Sequence, residues 1–523
     1  MASSSAGKTK MELVQATSKA AIDRQEVRVS TTPIRAAIAR DQRKDDFEVL
    51  VTVEAPKVVA PEKRAPIDLV AVLDVSGSVN KEEFVRGKHM SSRLDLLKIA
   101  MKYIIKLVRD ADRLAIVSFN HAVVSEYGLT RNSADSRKKL ENLYAVHTFG
   151  FSASHDPVPL RQISALSYGL YSFVCKNLDN ITEAFARCLG GLRTVVAAEI
   201  RVDLKPKSSD KQQQQQPVLI KSIDSGGYES QVIGGGTSGK ILIPVLYVDE
   251  VKKFIVHLKV PKVSATTVNN QQEILTADGD ANSVDGKTVR IKEHKLAIRR
   301  PPEVVDQADL RPAPQVVEQV VVFKLLDMVP KTFQQRREDD HKGVKNTKVA
   351  VQLLQRNMDE IRRSDAWTDL DVGTRRRIDE QVKEIADHVE KGEGPAYVNS
   401  WVSSQEMQRA NTMGSPNKVV AEFVTPAMKA IVEEVKKPLE EKIVEGDPST
   451  PTSTKTTPSS ADPNPAPAHP APTPIKQYSP RPDEKPADYP NSGQNPRPVV
   501  LPSEDLAPIQ PPAVEQARSL SKY

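Results

Sequence analysis

The sequence predicts a mixed α/β protein: a doubly wound, Rossmann-like parallel sheet, then an antiparallel β-sandwich and a C-terminal helical region. Three observations predict it. Between residues 64 and 194, apolar runs alternate with helically periodic stretches, the pattern of strands covered by helices on both faces. Strand-like runs separated by Gly, Asn, Asp and Gln turns follow, as far as Arg299. Beyond Arg299-Arg-Pro-Pro302 the apolar spacing becomes that of amphipathic helices.

Residues 1–25 read as a flexible lead-in. Within 26–60, VRVS and FEVLVTVEA alternate with period two and read as strands joining the sandwich. Ile67–Leu73 is a nearly continuous apolar run, as expected of a buried parallel strand. From Leu94 to Val108, residues Leu94, Leu97, Ala100, Met101, Ile104 and Leu107 share one helical face. Arg113–Phe119 predicts a second strand and Ala122–Leu129 a third. A short helix at 134–143, a strand at Tyr144–Phe151, a helix at 158–167, a strand at 170–175 and a helix at Ile181–Leu192 continue the alternation. The sandwich occupies 195–300 and the helical region 312–435. In that region Val316–Met328 and Val344–Ile361 are helical, and Ile378, Val382, Ile385 and Val389 form one stripe of a third helix. Residues 394–435 read as less regular. The tail, 446–523, holds half of the 38 prolines and few apolar residues, so it predicts disorder.

Composition narrows the function. Lys and Arg number 74 against 68 Asp and Glu, a net +6 that is small for 523 residues and argues against a nucleic-acid binder. No apolar run reaches the ~18 residues of a membrane span, and the N-terminus has no apolar signal core. The two cysteines, Cys175 and Cys188, lie in apolar or helical contexts and predict buried packing. Two exclude a disulfide scaffold and a zinc cross-brace of about eight ligands. The low count points to a reducing compartment, here cytoplasmic. The partners expected are therefore proteins, with neither nucleic acid nor membrane among them.

Asp74-Val-Ser76-Gly-Ser78 directly follows the strand IDLVAVL. The carboxyl end of a parallel strand opens onto the crevice where doubly wound proteins bind ligands. One carboxylate and two hydroxyls at alternate positions offer hard oxygens suited to Mg²⁺ or Mn²⁺; the plain alternative is a Ser/Gly loop capping the next helix. Other motifs are set aside. Gly234–Lys240 begins like a phosphate loop, but Ile241 stands at the hydroxyl position and a strand follows, so it predicts a hairpin loop. Asp278-Gly-Asp280-Ala-Asn282 lacks the glycine and glutamate of a calcium loop and predicts a polar turn. Arg375-Arg-Arg-Ile-Asp379 predicts a solvated helix face, Gln212–Gln216 a linker, and the tail's prolines potential ligands for SH3-like partners. No nucleophile–base–orienter set appears, so intrinsic catalysis is not expected.

Asp74-Val-Ser-Gly-Ser78 in this setting resembles the metal-ion-dependent adhesion site of von Willebrand factor A (vWA) domains. Arg64–Ser78, Asp112–Phe119, Val146–Phe151 and Ser154–Asp156 resemble plant vWA proteins related to the wavy-growth RING-type E3 ubiquitin ligases. So do Leu246–Glu250, Ala396–Val398, Ser403–Ala410 and Val424–Met428, the likeness running in order over roughly residues 46–435. Two departures qualify what it implies. No cysteine precedes residue 46, where the family carries its RING, so ligase chemistry is not carried over. Leu140–Leu143 also runs straight into Tyr144–Gly150, where the family has a Gly-Gly-Thr-Asn loop, two helices and a strand. The vWA domain, 64–194, is thus expected to be truncated by a strand–helix unit and to lack the family's Thr and second Asp ligands.

With Asp74, Ser76 and Ser78 alone, about three of six octahedral positions fall to water. The expected Mg²⁺ or Mn²⁺ binding is weak or absent. Asp156 is the candidate to replace the lost carboxylate, if YAVHTFGF pairs beside IDLVAVL; otherwise it sits in a solvated turn before Pro157. The function expected is a non-catalytic protein-interaction scaffold with a degenerate adhesion site. The alternatives are a ligase-related component acting through RING-bearing relatives, or a decayed family member. Partner docking is expected to survive in the fragment 195–435.

Overall fold

The computed structural model describes residues 26–57, 67–74, parts of 83–127, and most of 145–207, 216–263, 271–339, 347–414 and 421–434. The helix expected at 134–143, most of that at 94–108, residues 212–215, Cys175, the lead-in and the tail lie outside the described residues.

Strands β1 (Arg28–Pro33) and β2 (Lys44–Glu54) open the chain. The vWA-like segment holds β3 (Asp68–Asp74), β4 (Glu83–Val85), β5 (Lys88–Met90), β6 (Arg113–Phe119), β7 (Val123–Tyr127), β8 (Thr148–Phe151), α1 (Pro157–Leu166), β9 (Tyr171–Val174) and α2 (Leu178–Leu192). Next come β10 (Val195–Pro206), β11 (Leu219–Asp224), β12 (Glu229–Ile233), β13 (Ser238–Tyr247), β14 (Val251–Val260), β15 (Gln271–Ser283) and β16 (Thr288–Arg299). The helices α3 (Gln307–Leu310), α4 (Pro314–Asp339), α5 (Thr347–Arg362), α6 (Asp365–Thr368), α7 (Val372–Glu390) and α8 (Gly394–Met407) follow, and 426–434 is helical.

Two antiparallel sheets form the sandwich, ordered β1-β2-β14-β11 and β12-β13-β10-β15-β16. Period-two alternation drives this. Val49, Val51 and Val53 of β2, and Phe254, Val256 and Leu258 of β14, share a core with Ile200, Val202 and Leu204 of β10. Leu50 and Ile255 break the alternation; they face each other across the β2–β14 ladder and are also buried. The cause is α4, which packs on β2 and β14. Covered by the sheet on one side and by α5 and α8 on others, α4 buries Val316, Val317, Val321, Leu325 and Val329. The stripe Ile378, Val382, Ile385 and Val389 is buried on α7 as its spacing predicts. The side chain of Asp371 caps that helix, accepting from Thr374 N at 2.9 Å.

The vWA-like part is built from shorter ladders. β3 and β6 pair in parallel from Asp68↔Arg113 to Asp74↔Phe119, and β7 adds antiparallel to β6. β8 and β9 form a separate parallel pair with α1 as the crossover. Among the described residues, β3 pairs with β6 alone and β8 with β9 alone.

Four sequence expectations change. Val70 and Val72 are 53% and 61% exposed, so β3 is covered less completely than its apolar run implies. The Asp278–Asn282 segment is no turn but lies inside β15. There Gly279 sits at a register shift, and a Cβ on it would lie 1.9 Å from Arg201 O. KTVRIK and HKLAIR, which read in the sequence as two strand-like runs parted by a turn, join in one continuous strand, β16 (Thr288–Arg299). Residues 394–407, expected to be irregular, are α8; burial on nearly every face removes the stripe that would reveal it.

The expectation that 195–435 docks on its own meets a physical objection. β2 lies between β1 and β14 in the interior of its sheet. Removing it leaves β14 paired with β11 alone and takes away five buried apolar residues, Phe47, Val49, Leu50, Val51 and Val53, at roughly 1.5–3 kcal/mol each. The fragment 195–435 should therefore show no cooperative urea transition, whereas 26–435 should. A sharp transition for 195–435 would refute this.

Candidate functional site

Asp74 is the last residue of β3, at the carboxyl end of the β3–β6 parallel pair and opposite Phe119. Ser76, Ser78 and the side chain of Asp74 lie outside the described residues. Asp156 belongs to the other ladder. It follows β8 and caps α1, its carboxylate accepting from Val158 N at 3.1 Å. The structure therefore does not bring β8, and Asp156 with it, beside β3. His155 turns inward: Nδ1 lies 2.6 Å from Ser152 O, and Nε2 lies 2.7 Å from Tyr171 Oη. A carbonyl can only accept, so Nδ1 carries the proton and Tyr171 O–H donates to Nε2. Gly150 makes room for this ring, since a Cβ there would lie 2.0 Å from His155 Nε2. Of the four predicted ligands, Asp74 and Asp156 thus belong to separate ladders among the described residues.

A second constellation joins the ladders to the sandwich. α8 ends in Gln408, whose left-handed backbone (φ 46°) turns the chain back. The next residue, Arg409, has a side chain only 1% exposed. Its Nε donates to Glu250 Oε1 at 2.7 Å and its Nη2 to Glu250 Oε2 at 3.1 Å, a bidentate pair. Nη2 also donates to Val245 O at 2.6 Å, and the guanidinium lies 4.2 Å from the Tyr247 ring centroid. Lys252 Nζ, also fully buried, reaches Glu250 Oε1 at 3.1 Å, Met407 O at 3.1 Å and Gln408 O at 3.0 Å. Two cations thus share one carboxylate, and the carbonyls of Val245, Met407 and Gln408 accept from Arg409 Nη2 and Lys252 Nζ, while Arg409 Nη1 is buried without a hydrogen-bond partner among the described residues. Burial by itself would raise the pKa of Glu250, but Arg409 and Lys252 outweigh it and hold the carboxyl below its ordinary range. Burial lowers the pKa of Lys252 to about 7 despite Glu250.

From the same segment, side chains close the edge of β9. Ser403 Oγ accepts from Tyr171 N at 2.9 Å, and Ser400 Oγ accepts from Phe173 N at 3.2 Å. Asn411 Nδ2 donates to Tyr171 O at 2.7 Å, and Gly414 N donates to Phe173 O at 2.8 Å. Backbone groups that would otherwise be buried unpaired are satisfied by two hydroxyls, a side-chain amide and, at the Phe173–Met413 bridge, one backbone N–H. Leu246–Glu250 and Ser403–Ala410, noted in the sequence for their likeness to a family, are therefore the two halves of one buried clamp. Sequence reasoning missed that role. The available signal was the recurrence of Ser400, Ser403 and Ser404 around Trp401 and Val402.

Residues 69–153 match the family model of the von Willebrand factor type A domain. With Asp74 ending a parallel strand there, this is a vWA-domain protein, and it is related to plant E3 ubiquitin ligases. It is 25% identical over 315 residues to E3 ubiquitin-protein ligase WAV3 of Arabidopsis thaliana, covering 48% of this chain and 40% of that one. It is 29% identical over 141 residues to E3 ubiquitin-protein ligase WAVH1 of the same plant, covering 26% of this chain and 19% of that one. The chain thus spans less than half the length of these relatives. A solved von Willebrand factor type A structure from Catenulispora acidiphila overlays with a TM-score of 0.43 at 13% identity, covering 68% of this chain and 97% of that one.

Removing one partner of a buried ion pair leaves the other charge uncompensated. Arg409→Ala should therefore destabilise the chain by roughly 3 kcal/mol or more, read from urea denaturation. Lys252 remains near Glu250 in that variant, whereas Glu250→Ala leaves the Arg409 guanidinium, which cannot shed its charge, without its carboxylate and should cost more. A loss under about 1 kcal/mol in both variants would show the clamp to be dispensable.

Proposed function

We propose that this chain is a non-catalytic, cytoplasmic vWA-domain protein that mediates protein–protein interaction through a degenerate adhesion site. The observation that supports this most is the placement of Asp74 at the end of β3 within the matched domain, while Asp156 is held at the α1 N-cap. One carboxylate and two hydroxyls would leave about half of an Mg²⁺ or Mn²⁺ coordination sphere to water. Partner recognition then rests on the shape and polar surface of the chain more than on a shared metal ion. Calorimetric titration should give Mg²⁺ or Mn²⁺ affinity no tighter than about millimolar, unchanged by Asp74→Ala. Low-micromolar affinity lost in Asp74→Ala would mean that further ligands complete the site.

A second reading is favoured by the likeness to the Arabidopsis ligases: a ubiquitin-ligase-related component acting through RING-bearing relatives. Two cysteines fall short of the zinc ligands a RING needs to fold. With activating and conjugating enzymes alone, this chain should build no ubiquitin chains above background. Co-precipitation of a RING-bearing vWA relative would favour the second reading over the first. Robust chain formation by this chain alone would overturn both.

A further inference from the structure

On the outer face of the β1-β2-β14-β11 sheet, three adjacent strands bring four ionisable side chains together. Glu48 of β2 stands directly opposite His257 of β14 in the ladder. Asp46 lies two residues before Glu48 and so on the same face. On the other side of β14, Asp224 of β11 reaches the same imidazole. Asp46, Glu48 and His257 offer ligand atoms that all lie within 4.8 Å of one another.

We propose that Asp46, Glu48 and His257 bind a late first-row divalent cation of the zinc type, which staples β2 to β14. The detailed geometry supports this over a plain ion-pair ladder. His257 Nδ1 faces Asp46 Oδ1 at 2.6 Å, while Nε2 faces Asp224 Oδ2 at 3.2 Å. Asp224 is thus the outer carboxylate that metal-bound histidines characteristically use to fix ring orientation and raise basicity. Asp46 is held in the same way: Lys221 Nζ lies 2.5 Å from Oδ2, leaving Oδ1 turned toward the imidazole. Each of these two ligands therefore has a second partner on its non-ligating atom.

Size and charge agree. Metal bonds of about 2.0–2.2 Å require ligand atoms within about 4.2 Å of each other, a small closure from the present spread that carboxylate rotation supplies. Three carboxylates, Asp46, Glu48 and Asp224, face one Lys221 ammonium and the imidazole, so the cluster favours added positive charge. A divalent ion entering at Nδ1 displaces the proton shared there with Asp46. An imidazole in the set selects the zinc type over Mg²⁺ and Ca²⁺. This site lies on the sandwich, apart from Asp74.

The test is zinc titration of the untagged full chain by calorimetry, beside His257→Ala, Glu48→Gln, Asp224→Asn and Asp74→Ala. Circular dichroism confirms that each variant is folded. The expected result is one zinc site in the micromolar range, lost in His257→Ala and unchanged in Asp74→Ala. Asp224→Asn, which touches only the outer partner, should weaken binding by about tenfold or more. Should His257→Ala fail to fold, Glu48→Gln decides, together with the visible spectrum of the Co²⁺-loaded chain. No zinc binding, or zinc binding equal in wild type, Glu48→Gln and every folded His257 variant, would overturn the proposal.

Discussion

The ion pair of Arg409 with Glu250 is the contact on which the rest of the structure leans. Glu250 stands in the turn between β13 and β14, and Arg409 stands just past the end of α8. Burying both is costly, and the bidentate pairing and the polar groups around it offset the cost. Glu250 Oε2 also accepts from Tyr247 N at 3.0 Å, and Lys252 ties the same carboxylate to the carbonyls of Met407 and Gln408. The pair fixes where the chain turns after α8. That turn sets the position of Asn411 and Gly414 against β9, while Ser400 and Ser403 act from the helix before it.

One consequence concerns how the vWA ladder is supported. Among the described residues the β8–β9 sheet is two strands wide, and such a pair is marginal by itself. Its outer edge is closed by side chains of α8 and by the backbone at Gly414, and Tyr171 and Phe173 are wholly buried beneath them. The β3–β6–β7 ladder shares none of those bonds, and Val70 and Val72 stay open to solvent.

Legibility in the sequence followed the range of the forces involved. β2, β10 and β14 were readable because period-two alternation is local and survives even where α4 covers the second face of β2 and β14. The stripe of α7 was readable for the same reason. α8 was not, since Ser400, Ser403 and Ser404 are buried beside Trp401 and Val402, and a helix buried all round shows no stripe. The Asp278–Asn282 segment reads as a turn from its composition. It became strand because β10 and β16 pair on both sides of it, and Lys205 holds the buried Asp278 at 2.7 Å.

By itself, the sequence determined the order of elements, the strand that ends at Asp74 and the likeness to vWA proteins, because each is carried by residues close together in the chain. Only the tertiary structure decided which groups meet. Arg409 finds Glu250 across 159 residues, and Asp46 finds His257 across 211. It also decided that Asp156 caps a helix and does not line the β3 rim. No local pattern encodes such pairings: a charged side chain looks the same in sequence whether it ends in solvent or in a buried network. The difference is set by desolvation and by partners that the fold alone brings within hydrogen-bonding distance.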